Sequence, residues 1–186
     1  MDTEYCRKPD FDEEKATEVA ACLLELSGEK KKHKWLIKML YLVERESFER
    51  YERPIIYDTL ASLPQGQIVS NTYTITKEPS KHSFWNRYIA KDRQWCLSLR
   101  SSRPPLKKLS PADVGVINDV FDRFGQMDED ELGEYTHNLP EYQYPGTSSI
   151  QTSYERLLSK MGYSDSDVKR VVGEIRQEAI LDSLFG

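Results

Sequence analysis

The stretch from residue 34 to residue 50, KWLIKMLYLVERESFER, constrains the fold more than any other part of the sequence. Seven of its first ten residues are apolar: Trp35, Leu36, Ile37, Met39, Leu40, Leu42 and Val43. Four of them repeat at i, i+3, i+4 and i+7, which predicts a helix, and the others widen the apolar face beyond that of a surface helix. We therefore expect a central helix buried on several sides, with a charged second half that reaches solvent.

Capping signals predict further helices around this one. Asp10 and Glu13 have the spacing of a capping box, and Gly28 suits the helix end. Further helices are predicted to begin after Ser110 and after Asp128, and two more over residues 150–161 and from residue 164 onward. We expect a mainly α (α+β) fold in one domain, residues 1–186, with central helices and a hairpin over residues 10–109 and C-terminal helices over residues 110–186.

Residues 84–99 predict a β-hairpin, because apolar and polar residues alternate on both sides of a turn at residues 90–93. Trp85 and Arg87 fall in the first arm and Trp95 in the second, where the two tryptophans could form a cross-strand pair. The aromatic side chains either pack on the core or, together with the arginines, form a platform for stacking bases. The first interpretation is favoured. Residues 55–60 predict a short strand, and residues 67–75 predict a helix.

Charge and cysteine content narrow the classes of partner. The net charge is -5, which disfavours a protein that binds nucleic acid through its phosphate backbone. The basic run from Lys30 to Lys34 is either a nucleic-acid or membrane patch or a solvated turn between helices, and the second is favoured. Three widely spaced cysteines without a CxxC pair predict neither disulfides nor a zinc site. No apolar run approaches the ~20 residues that span a bilayer, and the first fifteen residues do not resemble a signal peptide, so a cytoplasmic location is expected.

No recognisable catalytic constellation is present in the sequence. None of the three histidines, His33, His82 and His137, lies within four residues of another histidine or of a cysteine, and no phosphate loop, GxSxG or dinucleotide fingerprint occurs. The residues therefore predict a binding protein without catalytic residues, cofactor or metal.

Several fragments, taken in order, resemble the Panacea (SocA-like) antitoxin domain. The stretch KMLYLVE at residues 38–44 is similar to that family's K-x-L-Y-x-x-E core, and residues 53–55 to its R-P-hydrophobic step. The pairs Leu109-Ser110, Phe124-Gly125, Glu131-Leu132 and Thr136-His137 are similar to its later pattern. The resemblance covers roughly residues 12 to 183. Two positions depart from the family: Gln67 replaces a proline, and Tyr142 stands where a tryptophan is usual.

The resemblance implies a helical domain with a small antiparallel sheet that acts as the antitoxin of a toxin–antitoxin system. It also implies a cognate toxin protein as partner, encoded by an adjacent gene, and an association with phages or prophages. Neutralisation would proceed by direct binding or by delivery of the toxin to a protease. A nucleic-acid-binding regulator remains an alternative, and the oligomeric state is open.

Six residues are candidates for the partner-binding surface: Tyr41, Arg45, Trp85, Arg87, Tyr88 and His137. Tyr, Trp and Arg dominate the energetics of protein interfaces, which favours the residues of the predicted hairpin as exposed contacts. Tyr41 is equally a core residue whose hydroxyl has a partner, which is the favoured interpretation. His137 either caps the preceding helix, which is the favoured interpretation, or presents a polar group at a groove. Gly66 is expected to need a backbone conformation closed to other residues.

Overall fold

The computed structural model describes residues 11–185, which form eight helices and two small antiparallel sheets. The helices are α1 (Glu13–Ser27), α2 (His33–Tyr51), α3 (Ser70–Lys77), α4 (Phe84–Tyr88), α5 (Pro111–Phe124), α6 (Glu129–His137), α7 (Tyr154–Lys160) and α8 (Asp165–Phe185). The strands are β1 (Lys31–Lys32), β2 (Leu60–Leu63), β3 (Gly66–Val69), β4 (Ile89–Lys91), β5 (Cys96–Leu99) and β6 (Ile150–Gln151). The mainly α (α+β) fold predicted from the sequence is confirmed.

Helix α2 runs through the centre of the molecule, as its apolar content predicts. Every side chain from Trp35 to Glu44 is buried, including the polar ones. The helix packs against α1, α5 and α6 and against strand β3. The expected exposure of its charged second half is correct only in part: Glu49 and Arg50 are exposed, whereas Glu44 and Glu46 are buried. One hydrophobic core contains residues from both the N-terminal and the C-terminal half of the sequence.

The N-caps of α5 and α6 lie where the sequence places them, whereas the N-cap of α1 is Asp12 and not the Asp10 of the predicted capping box. The side chain of Asp12 accepts a hydrogen bond from the N–H of Lys15 and begins α1, and Gly28 ends it in the left-handed conformation, with a φ of 65°. Ser110 and Asp128 each form a complete capping box at the start of α5 and α6. Asp10, which the sequence analysis placed in the first box, lies outside the described residues.

The first sheet, in the order β3-β2-β6, packs against α2 through β3. Strands β2 and β3 form a hairpin around Pro64 and Gln65, and β6 adds to the other edge of β2. The helix predicted over residues 67–75 is correct only from residue 70 onward, because β3 runs to Val69 and α3 begins at Ser70. The predicted strand at residues 55–60 and the helix at 150–161 are displaced in the same way: β2 begins at Leu60, and α7 begins at Tyr154, after β6.

The second sheet, in the order β1-β5-β4, corrects the predicted hairpin over residues 84–99. Strands β4 and β5 pair as a hairpin, but residues 84–88 form α4, whose N-cap is Ser83. Trp85 and Ile89 are four residues apart, and residues at this spacing share one face of a helix as well as one face of a strand. Trp85 therefore faces the core from a helix and forms no cross-strand pair with Trp95. Strand β1 lies along β5, which brings the basic run beside the hairpin.

Candidate partner-binding surface

Tyr41 and Arg45 connect α2 by hydrogen bonds to the segment that follows α6. The Tyr41 hydroxyl and the Arg45 Nε both donate to Oε1 of Glu141, at 2.7 and 2.8 Å. Tyr41 and Glu141 are fully buried. Burial, together with the charge of Glu141, raises the pKa of Tyr41 well above its ordinary value, so the hydroxyl keeps the proton that it donates. Tyr41 is thus a core residue with a satisfied hydroxyl, one of the two roles expected for it.

Lys38 and Glu44 form hydrogen bonds from the same helix to two other segments, the β2–β3 turn and the loop that contains Ile55 and Ile56. Lys38 Nζ donates to the carbonyl oxygen of Gln65 in the β2–β3 turn, at 2.5 Å. Glu44 Oε1 accepts the backbone N–H groups of Ile55 and Ile56, at 2.8 and 2.9 Å. The polar positions of the KMLYLVE stretch therefore act inside the protein and hold the loops in place.

The three candidates on α4 have different environments. Trp85 is only 1% exposed, so its prediction as an exposed contact is wrong: it fills the core beneath the helix. Arg87 is exposed and lies over the ring of Phe84, with Cζ 5.8 Å from the ring centre. Tyr88 is half-buried, and its ring centre is 5.0 Å from that of Phe84. Arg87 and Tyr88 keep the accessibility that a contact residue needs.

His137 is exposed in the last turn of α6. Its ring centre lies 4.2 Å from that of Tyr142, and the cap of the helix is made by the backbone N–H of Asn138 instead. The ring faces a cleft of about 230 Å³ that includes Lys34 and Gln65. The favoured role of His137 as the cap of α6 is therefore wrong, and the role of a polar group at a groove stays a prediction.

A second surface combines residues that the sequence analysis did not bring together. We call it the basic–aromatic surface and define it by Lys32, His33, Tyr73, Lys77, Lys91 and Trp95. The pairing of β1 with β5 places the N-terminus of α2 against the hairpin, where the N–H of His33 donates to the carbonyl of Trp95 at 2.9 Å. Helix α3 supplies Tyr73 and Lys77 from the other side.

The rings of this surface are packed between cations and a central imidazole. The ring of His33 lies 6.1 Å from Tyr73, nearly parallel to it, and 5.3 Å from Trp95. Burial lowers the pKa of His33, which favours the neutral ring at this position. The ammonium groups of Lys77 and Lys91 lie 3.9 and 4.4 Å from the ring centres of Tyr73 and Trp95.

Trp95 is the most exposed of the three tryptophans and has an unusual backbone. Its side chain is 45% exposed, and its φ is 62°, in the left-handed region that bulky residues rarely adopt. The turn is fixed by Asp92, whose carboxylate accepts the N–H groups of Gln94 and Cys96 at 2.8 and 2.9 Å. The fold thus holds an aromatic side chain out of the core by means of a rigid turn.

Other kinds of site have no support in the part of the protein that the structure describes. Residues 11–185 contain no group of three or more His, Cys, Asp or Glu side chains placed to hold a metal ion. Cys22 and Cys96 are buried free thiols, and Cys6 lies outside the described residues. Within the same range, no helix combines the length and the apolarity required to cross a membrane.

The comparisons with known proteins identify one family. No curated protein and no solved structure matches this sequence. The family model described as "Antitoxin SocA-like, Panacea domain" matches residues 36–143. This range begins in α2 and ends just after Glu141, so it contains all three loops that the polar side chains of α2 hold. It covers more than half of the sequence, and the protein therefore belongs to the SocA-like antitoxin family defined by the Panacea domain.

Proposed function

We propose that this protein neutralises a cognate toxin protein by binding it directly, and that the basic–aromatic surface is the main contact. The observation that carries the proposal is Trp95, exposed on a turn with a left-handed backbone. Membership of an antitoxin family supplies the class of partner. The proposal makes the protein a binding protein and assigns it no catalytic step.

The backbone of Trp95 supports a role outside the fold. A non-glycine residue in this conformation costs on the order of 1–3 kcal/mol, and such positions cluster at functional sites. Glycine adopts the same conformation without that cost. A tryptophan at this position, exposed and with the ammonium group of Lys91 over its ring, suits a contact that desolvates it in a complex, because Trp is strongly enriched at interface hot spots.

Binding to nucleic acid is the second candidate function, since Lys30–Lys34 and the hairpin form one surface. Base stacking needs an open ring face. His33 lies beside both Tyr73 and Trp95, and Lys77 and Lys91 lie over these same two rings. This arrangement favours a protein partner. A salt-dependent shift of DNA or RNA by the purified protein would instead support the second function.

The direct test is co-expression with the product of the neighbouring gene, followed by co-purification and measurement of the affinity. Trp95→Gly should leave the fold intact, because it removes the backbone cost, and should weaken binding by about 30-fold or more, as the loss of about 2 kcal/mol at a hot spot implies. Tyr144→Gly is the matched control, because Tyr144 is an aromatic residue exposed to 70% outside the basic–aromatic surface. It should bind as the wild type does.

The outcomes separate the steps of the proposal. A wild-type protein that neither binds the neighbour nor rescues growth would refute the assignment of that toxin. A Trp95→Gly variant that binds with unchanged affinity would show that the basic–aromatic surface is not the contact. The amount of toxin in the co-expressing cells distinguishes the two routes: it stays constant under sequestration and falls when the toxin is delivered to a protease.

A further inference from the structure

A small pocket lies beside the basic–aromatic surface, and the buried residue Lys38 belongs to its lining. Its volume is about 40 Å³, and a water molecule takes about 30 Å³ in the liquid, so the pocket holds one small group. Its lining is formed by Lys34, Ile37, Lys38, Leu63, Gln65, Ile68 and Tyr73. Tyr73 belongs also to the basic–aromatic surface, so a partner that covers this surface passes over the pocket.

Lys38 has fewer partners than a buried ammonium group requires. Its side chain is 4% exposed, and Nζ has one hydrogen-bond acceptor among the described residues, the carbonyl of Gln65. An ammonium group has three donors. A buried charge is costly unless it is paired, and no carboxylate of residues 11–185 forms an ion pair with Lys38.

The local field favours an anion in the pocket. Lys34 is a second cation in the lining, and its ammonium group donates to Oε1 of Gln65 at 3.1 Å. Burial, with repulsion from Lys34, lowers the pKa of Lys38 to about 8. At neutral pH the group is therefore still mostly protonated, and the negative charge of an incoming carboxylate would offset both effects by favouring the ammonium form.

The geometry points to a carboxylate-binding pocket, and we propose that it receives the side chain of a glutamate from the protein partner. The carboxylate would accept hydrogen bonds from Lys38 and meet the charge of Lys34, while its methylene groups would contact Ile37, Ile68 and Tyr73. A glutamate fits because its charged head is small and its stem is apolar. This inference rests on the proposed function, of which it specifies the partner's chemistry.

Three blocked amino acids test the pocket without any toxin. N-acetyl-glutamate α-amide carries only the side-chain carboxylate, N-acetyl-glutamine carries only the α-carboxylate, and N-acetyl-glutamine amide carries neither. Methyl NMR signals of Ile37 and Ile68 in the full-length protein report on the lining. The first compound should shift both signals in a saturable way, with a Kd of about 1 mM, the affinity expected for a fragment of this size. The third should not.

Each other result overturns a defined part of the inference. If only the α-carboxylate compound gives saturable shifts, the glutamate side chain is refuted as the occupant of the pocket. The result would indicate the C-terminal carboxylate of a partner protein instead. Absence of saturation by both carboxylates, or equal binding of the neutral amide, would remove the carboxylate pocket. Lys38→Met should abolish the shift, and Lys169→Met, at an exposed position of α8, should retain it. If Lys38→Met does not fold, titration of the wild-type protein with the three compounds still determines whether the pocket binds a carboxylate.

A competition experiment separates this inference from the proposed function. In the complex with the neighbouring gene product, the carboxylate probe should no longer shift Ile37 and Ile68. A complex that forms and leaves the probe shifts unchanged would refute the pocket as a toxin contact while the proposed function stands. Failure of the complex to form refutes the proposed function, whatever the probe does.

Discussion

Replacing Glu44 by Gln should make the protein more stable at neutral and alkaline pH and should abolish a pH dependence that the wild type shows. Glu44 is completely buried. Burial raises its pKa to about 7 from an ordinary value of 4.5; the N–H groups of Ile56 and Ile55 oppose this shift, and the nearby charge of Asp58 adds to it. Oε2 has no hydrogen-bond partner among the described residues.

The sign and the size of the effect follow from proton linkage. Between about pH 4.5 and about pH 7 the folded protein retains a proton that the unfolded state releases, so stability falls as the pH rises. At about 1.4 kcal/mol for each pKa unit, this pKa difference costs the wild type on the order of 3 kcal/mol once the pH exceeds both values. Glutamine keeps the shape and an acceptor for Ile55 and Ile56 but carries no charge, so the cost disappears.

Urea unfolding, followed by tryptophan fluorescence from about pH 5 to about pH 8, measures the difference. The free energies of Glu44→Gln and wild type should be similar at the acidic end and should diverge by about 3 kcal/mol at the alkaline end. Glu78→Gln, at an exposed position, controls for the loss of one negative charge and should follow the wild type. A difference that is constant over this pH range would refute the raised pKa of Glu44.

Three further predictions follow from the core. Leu40→Asp places a charge at a fully buried position and should abolish the cooperative unfolding transition, measured by thermal melting; a melt near that of the wild type would contradict the central position of α2. Gly66→Ala should destabilise the protein by about 3 kcal/mol in urea unfolding, because a φ of 106° strains alanine and its Cβ would clash with Oγ1 of Thr136; Gly146→Ala, with open space around its Cβ and the same kind of φ, is the control for strain alone. Burial raises the pKa of Cys22 to about 11, so this thiol should react with a disulfide reagent much more slowly in the folded protein than in urea, and equal rates would refute its burial.

The sequence predicted best what depends on local periodicity and on helix ends. Helix α2 has the expected extent to within about one residue at each end, because its apolar residues repeat at the helical period over nearly the whole segment. Ser110 and Asp128 begin helices as expected, since a capping box satisfies orphan N–H groups within four residues. Gly66 has the positive φ that its place in a turn predicted.

The sequence could not predict the features that depend on contacts between residues distant in the sequence. Trp85, Arg87 and Ile89 fit both a strand and a helix, and the helix forms because Ser83 caps it and Glu13 of α1 accepts the N–H of Trp85. A lysine such as Lys38 is usually exposed, and it is buried here between the β2–β3 turn and α6, which the sequence does not bring together. The basic–aromatic surface likewise depends on the pairing of β1 with β5, a contact between segments more than sixty residues apart.

The link between Tyr41 and Glu141 determines when this protein can fold during its synthesis. The two residues are 100 positions apart, and Trp35 donates to the carbonyl of Met127 across 92 positions. At about 5–20 residues per second, a ribosome needs roughly 5–20 seconds to add such a stretch. Throughout that interval, neither the apolar faces of α2 nor its polar groups have all of their final neighbours. A nascent or truncated polypeptide that stops before Glu141 therefore exposes the central helix of the core, and folding of the native core has to wait until α6 and the segment after it have emerged.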